Sequence, residues 1–252
     1  MKAVAIIQAR VGSTRLAGKV LLKLSGSTVL EHVIKRVQKA KTIENVIIAT
    51  TVRTEVLRIV NMASKNRISV YCGSEFDVLD RYYQAARVFD LKHIVRITAD
   101  CPVIDPKVID DTVRFYFKAK ADYCSNTLRE TFPDGQDVEV FSFQALSHAW
   151  QKAKLISERE HVTPFIRKHE AKFKIVSYEN KVNLSDKRWT LDEKEDYQFL
   201  KILFANLYKK NHFFGMKEIL DFLAKHPQLE TINNMIIRNQ GYLKSLNKNR
   251  KG

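Results

Sequence analysis

The sequence predicts an α/β protein: a GT-A-like, Rossmann-type arrangement of a mostly parallel sheet with helices on both faces. Three observations predict it. Residues 1–120 alternate strand-like and helix-like segments four times, the rhythm of βαβ units. The strand-like runs are apolar throughout, as strands covered on both faces require. The chain is 252 residues long and 45% hydrophobic, ample for one large domain with a real core.

Each element has its own signal. "KAVAIIQA" is a continuous apolar strand. "STVLEHVIKRVQKAK" is a helix, with Thr28 and Glu31 fitting a capping box and Val29, Leu30, Val33, Ile34 and Val37 on one face. "NVIIATTV" is a second buried strand and "EVLRIVNMASKN" a second amphipathic helix. "ISVYC" is a short strand, followed by the helix "DVLDRYYQAARVFD". "HIVRITAD" is the next strand, and "DPKVIDDTVRFYFKAK" a helix with Asp105 as N-cap and Pro106 in its first turn.

After residue 121 the rhythm changes. "PDGQDVEVFSF" is a turn feeding a strand. "SEREHVTPFIRKHE" reads as a helix with a capping box from Ser157 to Glu160, interrupted near Pro164. "KFKIVSYEN" and "KRWTLD" read as strands, the latter ending at Asp192, and "EKEDYQFLKILFANLY" as an amphipathic helix. Residues 1–210 are thus expected to form one domain. Within it, 121–187 is an excursion that returns to the main sheet at 188–192. Residues 211–252 are expected to be a helical extension with a basic tail, "NKNRKG".

No apolar run reaches the ~18–20 residues that cross a bilayer, and the first residues lead straight into a strand with no signal-peptide pattern. Three cysteines, Cys72, Cys101 and Cys124, form no CxxC pair; that argues for free thiols, a cytoplasmic location and no structural zinc. Net charge is +15, which favours polyanionic partners. Much of it is a solvated surface, but residues 1–30 hold Lys2, Arg10, Arg15, Lys19 and Lys23 before the first acid, Glu31.

In open α/β sheets ligands sit beyond the carboxyl ends of the strands. The stretch "QARVGSTRLAGKVLLK" follows the first strand. It is neither a Walker A, since Gly12 to Gly18 is one residue too long and Lys19 is followed by Val20, nor GxGxxG. It remains a cationic, glycine-punctuated turn, suited to phosphates through backbone N–H groups and Arg/Lys charge. Asp100 ends a strand in "RITADCP" and Asp192 ends another in "RWTLD". A lone strand-end Asp more often caps a helix; two of them beside a phosphate loop suit Mg²⁺, which takes one or two carboxylates. His161 is more often a structural histidine than a base, Cys101 more often a small buried apolar group, and Phe115, Tyr116 and Phe117 core rather than a stacking platform.

These motifs together resemble a known family. "IIQARVGSTRLAGKVL", "VIIATT", "DVLDRYYQAA", "VRITADCPVIDP", "PDGQDVEVFS", "SEREHVTPFIRK" and "RWTLD" are similar to the sugar-acid cytidylyltransferases, the group of CMP-Kdo and CMP-sialate synthetases. The nearer likeness is to the spore-coat-polysaccharide-biosynthesis branch, over residues 3–200. The resemblance implies CTP as donor, an often acidic sugar as acceptor, Mg²⁺ as cofactor and a homodimer. By motif position, Gln8, Ala9, Arg10, Gly12, Ser13 and Thr98 would line the nucleotide. Arg15 and Lys19 would grip the triphosphate, and Asp100 and Asp192 would hold Mg²⁺. Gln136, Asp137, Glu139, Arg159 and Glu160 would contact the acceptor. The usual "RLPGK" is "RLAGK" here, with Ala17 for proline. Two other readings compete. A nucleic-acid-binding protein would show steeply salt-dependent affinity for oligonucleotides, but no helix-turn-helix, RRM or zinc pattern accompanies the charge. A glycosyltransferase of the same broad fold would carry a DxD motif where "TADCP" supplies one Asp.

Overall fold

A computed structural model describes residues 1–13 and 15–249. The first strand, β1 (Ala3–Gln8), lies third in a seven-stranded sheet. A small hairpin follows the loop after it, β2 (Lys23–Leu24) against β3 (Ser27–Thr28). Then come α1 (Val29–Lys39), β4 (Ile43–Thr50), α2 (Leu57–Lys65), β5 (Ser69–Cys72), α3 (Val78–Val88), β6 (His93–Thr98) and α4 (Pro106–Ala119). The excursion supplies β7 (Tyr123–Ser125), β8 (Glu139–Ser142), α5 (Phe143–Lys152), α6 (Ile156–His161), α7 (Pro164–Arg167) and β9 (Ile175–Ser177). The chain closes with α8 (Lys194–Leu207), α9 (Met216–Lys225), a 3-10 turn at Pro227–Ile232 and α10 (Gln240–Asn249).

The sheet order is β5-β4-β1-β6-β8-β7-β9. β5, β4, β1 and β6 run parallel, β8 is antiparallel to both neighbours, and β9 is parallel to β7. Burial on both faces explains the continuous apolar runs. Ile7 packs with Val33, Ile34 and Val37 of α1 on one face. Its neighbour Ile6 packs with Leu79, Tyr82 and Ala86 of α3 on the other, because successive strand residues point to opposite sides. The α1 capping box is present: Thr28 Oγ1 accepts from the Glu31 N–H, and Glu31 accepts from the Thr28 N–H at 2.7 Å. Asp105 caps α4 with Pro106 in its first turn.

Three expectations are corrected. "RWTLD" is not a strand of the sheet. It is an extended segment laid across the end of β6, with Trp189 N–H donating to the Asp134 carbonyl and Leu191 N–H to the Asp100 carbonyl. Trp189 and Leu191 are apolar because they enter a third core cluster with Phe199, Leu203 and Phe204 of α8. Gly135 permits this crossing: its φ is +102°, and a Cβ there would lie 2.7 Å from the Trp189 backbone. Second, the excursion is not outside the sheet; β7, a three-residue strand with no periodic signal, pairs between β8 and β9. Third, Ser157 does not cap α6. The first residue outside the helix is Leu155, whose N–H donates to Glu158, while Ser157 is buried against Asn249 of α10.

The segment after residue 211 is woven into the rest. Phe214, Ile219 and Leu223 belong to the third cluster, and α10 packs on α6. Of the basic tail, 247–249 end α10, and 250–252 lie outside the described residues, as does Thr14 of the loop. Among the described residues no helix is long and apolar enough to cross a membrane.

Candidate active site

The carboxyl ends of β1, β4 and β6 share one edge of the sheet, and the loop after β1 leaves from it. Ala9 N–H donates to the Ala49 carbonyl and Ala99 N–H to the Gln8 carbonyl, so the three strand ends stay in register just where the loop begins. The loop closes on itself when Gly18, with φ +65°, donates to the Val11 carbonyl. That turn starts a short 3-10 helix at Lys19 and aims the lysine back over the edge.

Lys19 Nζ lies 2.6 Å from Asp100 Oδ2, 2.7 Å from Asp192 Oδ1 and 2.9 Å from the Leu191 carbonyl. Arg15 Nη2 is 2.7 Å from Asp192 Oδ1, and its Nη1 reaches Glu193 at 3.4 Å. Asp100, just past β6, and Asp192, at the end of the extended segment, are 92 positions apart in the chain and converge on one cation. Burial alone would raise the Asp100 carboxyl; the adjacent Lys19 ammonium outweighs it and holds that carboxyl at about 2. Burial opposes the Lys19 charge too, and Asp100 and Asp192 overcome it, so its pKa is raised.

Neither aspartate serves as a helix cap. Asp105 caps α4, and Asp196 accepts from the N–H groups of both Asp192 and Glu193. Their carboxylates are left for cations. The point that Lys19 Nζ occupies is ringed by two carboxylate oxygens and a carbonyl oxygen, a hard-oxygen donor set that fits Mg²⁺. Among the described residues no group of three or more His, Cys, Asp or Glu could hold a metal, so such an ion would rely on these two carboxylates.

Of the other expected nucleotide contacts, Arg10 is exposed and Gly12 faces Glu75. Ser13 Oγ accepts from the Leu16 N–H, and Thr98 Oγ1 sits 3.3 Å from Cys101 Sγ. Gln8 Oε1 and Thr50 Oγ1, at the ends of adjacent strands, are buried and have no hydrogen-bond partner among the described residues. Orphaned polar atoms of this kind suit a bound polar ligand. Cys101 is buried, which pushes its thiol well up and removes it as a nucleophile.

The expected acceptor residues divide. Gln136 is 0% exposed, and its amide is consumed in the fold: Nε2 donates to the Val103 carbonyl and Oε1 accepts from the Asp105 N–H. Glu139 is a buried hub taking bonds from Tyr123, Thr163 and Arg96. Arg159 ties α6 to Asp77 at the start of α3 and to the Trp150 carbonyl. All three brace the fold; Gln136 and Glu139 are spent there, whereas Arg159, its side chain 23% exposed, uses three of its five N–H donors. Asp137 and Glu160 keep a solvent-reached side. His161 is held neutral, its pKa taken to about 4 by burial, with its ring edge on Tyr242.

Two arginines went unread in the sequence. Arg188 lies between Asp134 Oδ2 at 2.6 Å, Asp196 Oδ1 at 2.9 Å and Asp192 Oδ2 at 3.5 Å. Its spacing of four from Asp192 and eight from Asp196 was a local hint. Arg238, from the C-terminal segment, donates to Asp137 at 2.8 Å and lies 3.8 Å from Asp134. No local pattern could find a partner 101 positions away. Charges of alternating sign thus run from Asp100 through Lys19, Asp192, Arg188, Asp134 and Arg238 to Asp137.

A family model described as Cytidylyltransferase matches residues 4–241. A protein of Methanocaldococcus jannaschii with no assigned function is 39% identical over 242 residues, covering 94% of this chain and 96% of its own. The spore coat polysaccharide biosynthesis protein SpsF of Bacillus subtilis is 29% identical over 242 residues, covering 90% of this chain and 95% of its own. A solved cytidylyltransferase from Leptospira borgpetersenii superposes with a TM-score of 0.86 at 34% identity, covering 95% of this chain and all of that one.

Proposed function

The chain belongs to the cytidylyltransferase family, and we propose that, as such a nucleotidyltransferase, it transfers CMP from CTP to a hydroxyl of an acidic sugar for surface polysaccharide biosynthesis. The observation that carries this reading is the convergence of Arg15, Lys19, Asp100 and Asp192 at the carboxyl edge of the sheet. The acceptor hydroxyl gives its proton to water, its oxygen bonds to the α-phosphorus, the bond from that phosphorus to the bridging oxygen breaks, and pyrophosphate departs. Positioning and charge neutralisation dominate such a step, so no protein nucleophile is needed. Arg15 and Lys19 supply positive charge where the β- and γ-phosphates gather charge. Gln8 and Thr50, with unpartnered oxygens in reach of the strand ends, suit the polar edge of the base.

Asp100 and Asp192 would hold Mg²⁺, which would neutralise phosphate charge when bound. The SpsF relative is named for spore coat polysaccharide biosynthesis, which supports the polysaccharide role. A homodimer belongs to the same proposal. Leu155 and Ile156, 42% and 48% exposed at the start of α6, leave an apolar spot on the excursion, and a monomeric mass in light scattering would count against it. Incubation with CTP, Mg²⁺ and a panel of 2-keto sugar acids is expected to release pyrophosphate. Turnover that is unchanged in Asp100→Asn would overturn the metal assignment, and release from neutral sugars alone would overturn the acidic acceptor.

A further inference from the structure

One carboxylate beside the reaction edge touches no solvent and still carries many bonds. Asp196 lies in the first turn of α8 and is 0% exposed. Its Oδ2 accepts from the N–H groups of Asp192 at 2.8 Å and Glu193 at 2.9 Å, and from Arg188 Nη2 at 2.9 Å. Its Oδ1 accepts from Arg188 Nε at 2.9 Å and from Asn233 Nδ2 at 2.8 Å. Burying a carboxylate is costly unless donors replace the water it gives up, and these do so. Asp192 itself lies outside every strand and helix. No ladder of main-chain bonds sets its direction; its N–H bond to Asp196 does.

Asn233 reaches this carboxylate from 37 positions away, beyond the residues that carry the motif resemblance. It is 3% exposed and ends the 3-10 turn at Pro227–Ile232. Its Nδ2 also donates to the Arg188 carbonyl at 3.2 Å. Both atoms it faces are acceptors, so the amide nitrogen and not the amide oxygen points at them. Other bonds hold the turn in place. Lys187 Nζ lies 2.8 Å from Glu230, and Leu229 and Ile232 pack on the third core cluster. We propose that Asn233 is a positioning residue for Asp192. It completes the donor set around Asp196, and Asp196 holds the backbone from which the Asp192 side chain leaves. The Asp192 carboxylate thereby stays beside that of Asp100, where both reach Lys19. The inference rests on the metal reading above, and it gives the C-terminal segment a part in the reaction edge.

Amide hydrogen exchange of the full chain, followed by NMR, tests this in Asn233→Leu, which removes the donor at similar size. The expected result is faster exchange at Asp192 and Glu193 with Phe199–Phe204 of α8 unchanged. Faster exchange throughout α8 makes Asn233 merely structural and overturns the proposal, as does no change at Asp192. Asn233→Ser, too short to reach Asp196, repeats the measurement should the leucine variant not fold. Mn²⁺ binding in the presence of CTP, read by electron paramagnetic resonance, is the second measure. Asn233→Leu is expected to weaken it by about tenfold, the usual loss when a partner of a metal ligand is removed. Leu229→Ala, which loosens the same turn without removing a hydrogen bond, is expected to leave it unchanged. Equal weakening in the two variants, or none in Asn233→Leu, overturns the proposal. Asp192→Asn separates this inference from the reading beneath it. Mn²⁺ binding unchanged in that variant overturns the metal reading, and the exchange at Asp192 still decides whether Asn233 positions it.

Discussion

Two groups of charged residues, one at the proposed nucleotide side and one at the expected acceptor side, use the same residue types in opposite ways. On the nucleotide side, Lys19, Arg15, Asp100 and Asp192 pair with one another in reach of solvent, their side chains 12–27% exposed. On the acceptor side, Glu139 is 5% exposed and shares a rung of the sheet with Arg96, locked further by Tyr123 and Thr163. The difference teaches that charged residues expected at a site are not equivalent. Ion pairs that water reaches are cheap to exchange for a ligand. A desolvated, fully bonded pair is costly to break and acts as scaffold.

Four measurements would break or sharpen that contrast. Asp100→Asn is expected to lower pyrophosphate release by about 10²–10³-fold, with thermal stability close to that of the parent. A large loss of stability instead would make the nucleotide side structural too. Glu139→Gln should do the opposite, costing about 3 kcal/mol in urea unfolding because Arg96 is left buried without its counter-charge. Acid adds a smaller test. Burial would raise the Glu139 carboxyl, but Arg96 prevails and holds it below its ordinary value of 4.5. The stability this contributes is present above pH 4.5 and is lost as pH falls below it through the lowered pKa. Unfolding free energy followed against pH should fall less steeply there in Glu139→Gln than in the parent. The smallest effect belongs to Lys23, which is exposed and past the turn that aims Lys19. Lys23→Ala should leave the KM for CTP unchanged, and a marked rise would extend the phosphate grip along the loop.

Much of the nucleotide side was legible because its signals are local. Continuous apolar runs announced strands covered on both faces, Thr28 with Glu31 announced a cap, and glycine with Arg15 and Lys19 after the first strand announced a cationic turn. The rule that ligands gather at strand carboxyl ends then placed Asp100 on the edge. The acceptor side was less legible because its logic is pairwise and distant. Gln136 and Glu139 have the chemistry of sugar contacts, and only their partners show that this chemistry is already satisfied. β7 was too short for periodicity, and "RWTLD" alternates like a strand although Trp189 and Leu191 serve a different core.

The sequence by itself determined the α/β alternation, the family and the position of the cationic loop, since these rest on periodicity, turn chemistry and motif order along the chain. Only the tertiary structure decided which charges are free. It set Lys19 between Asp100 and Asp192, gave the capping work of Asp192 to Asp196, and brought Arg238 onto Asp137. The reason is physical. The state of a charged side chain depends on desolvation and on what stands within about 4 Å of it, and neither is a property of its neighbours in sequence.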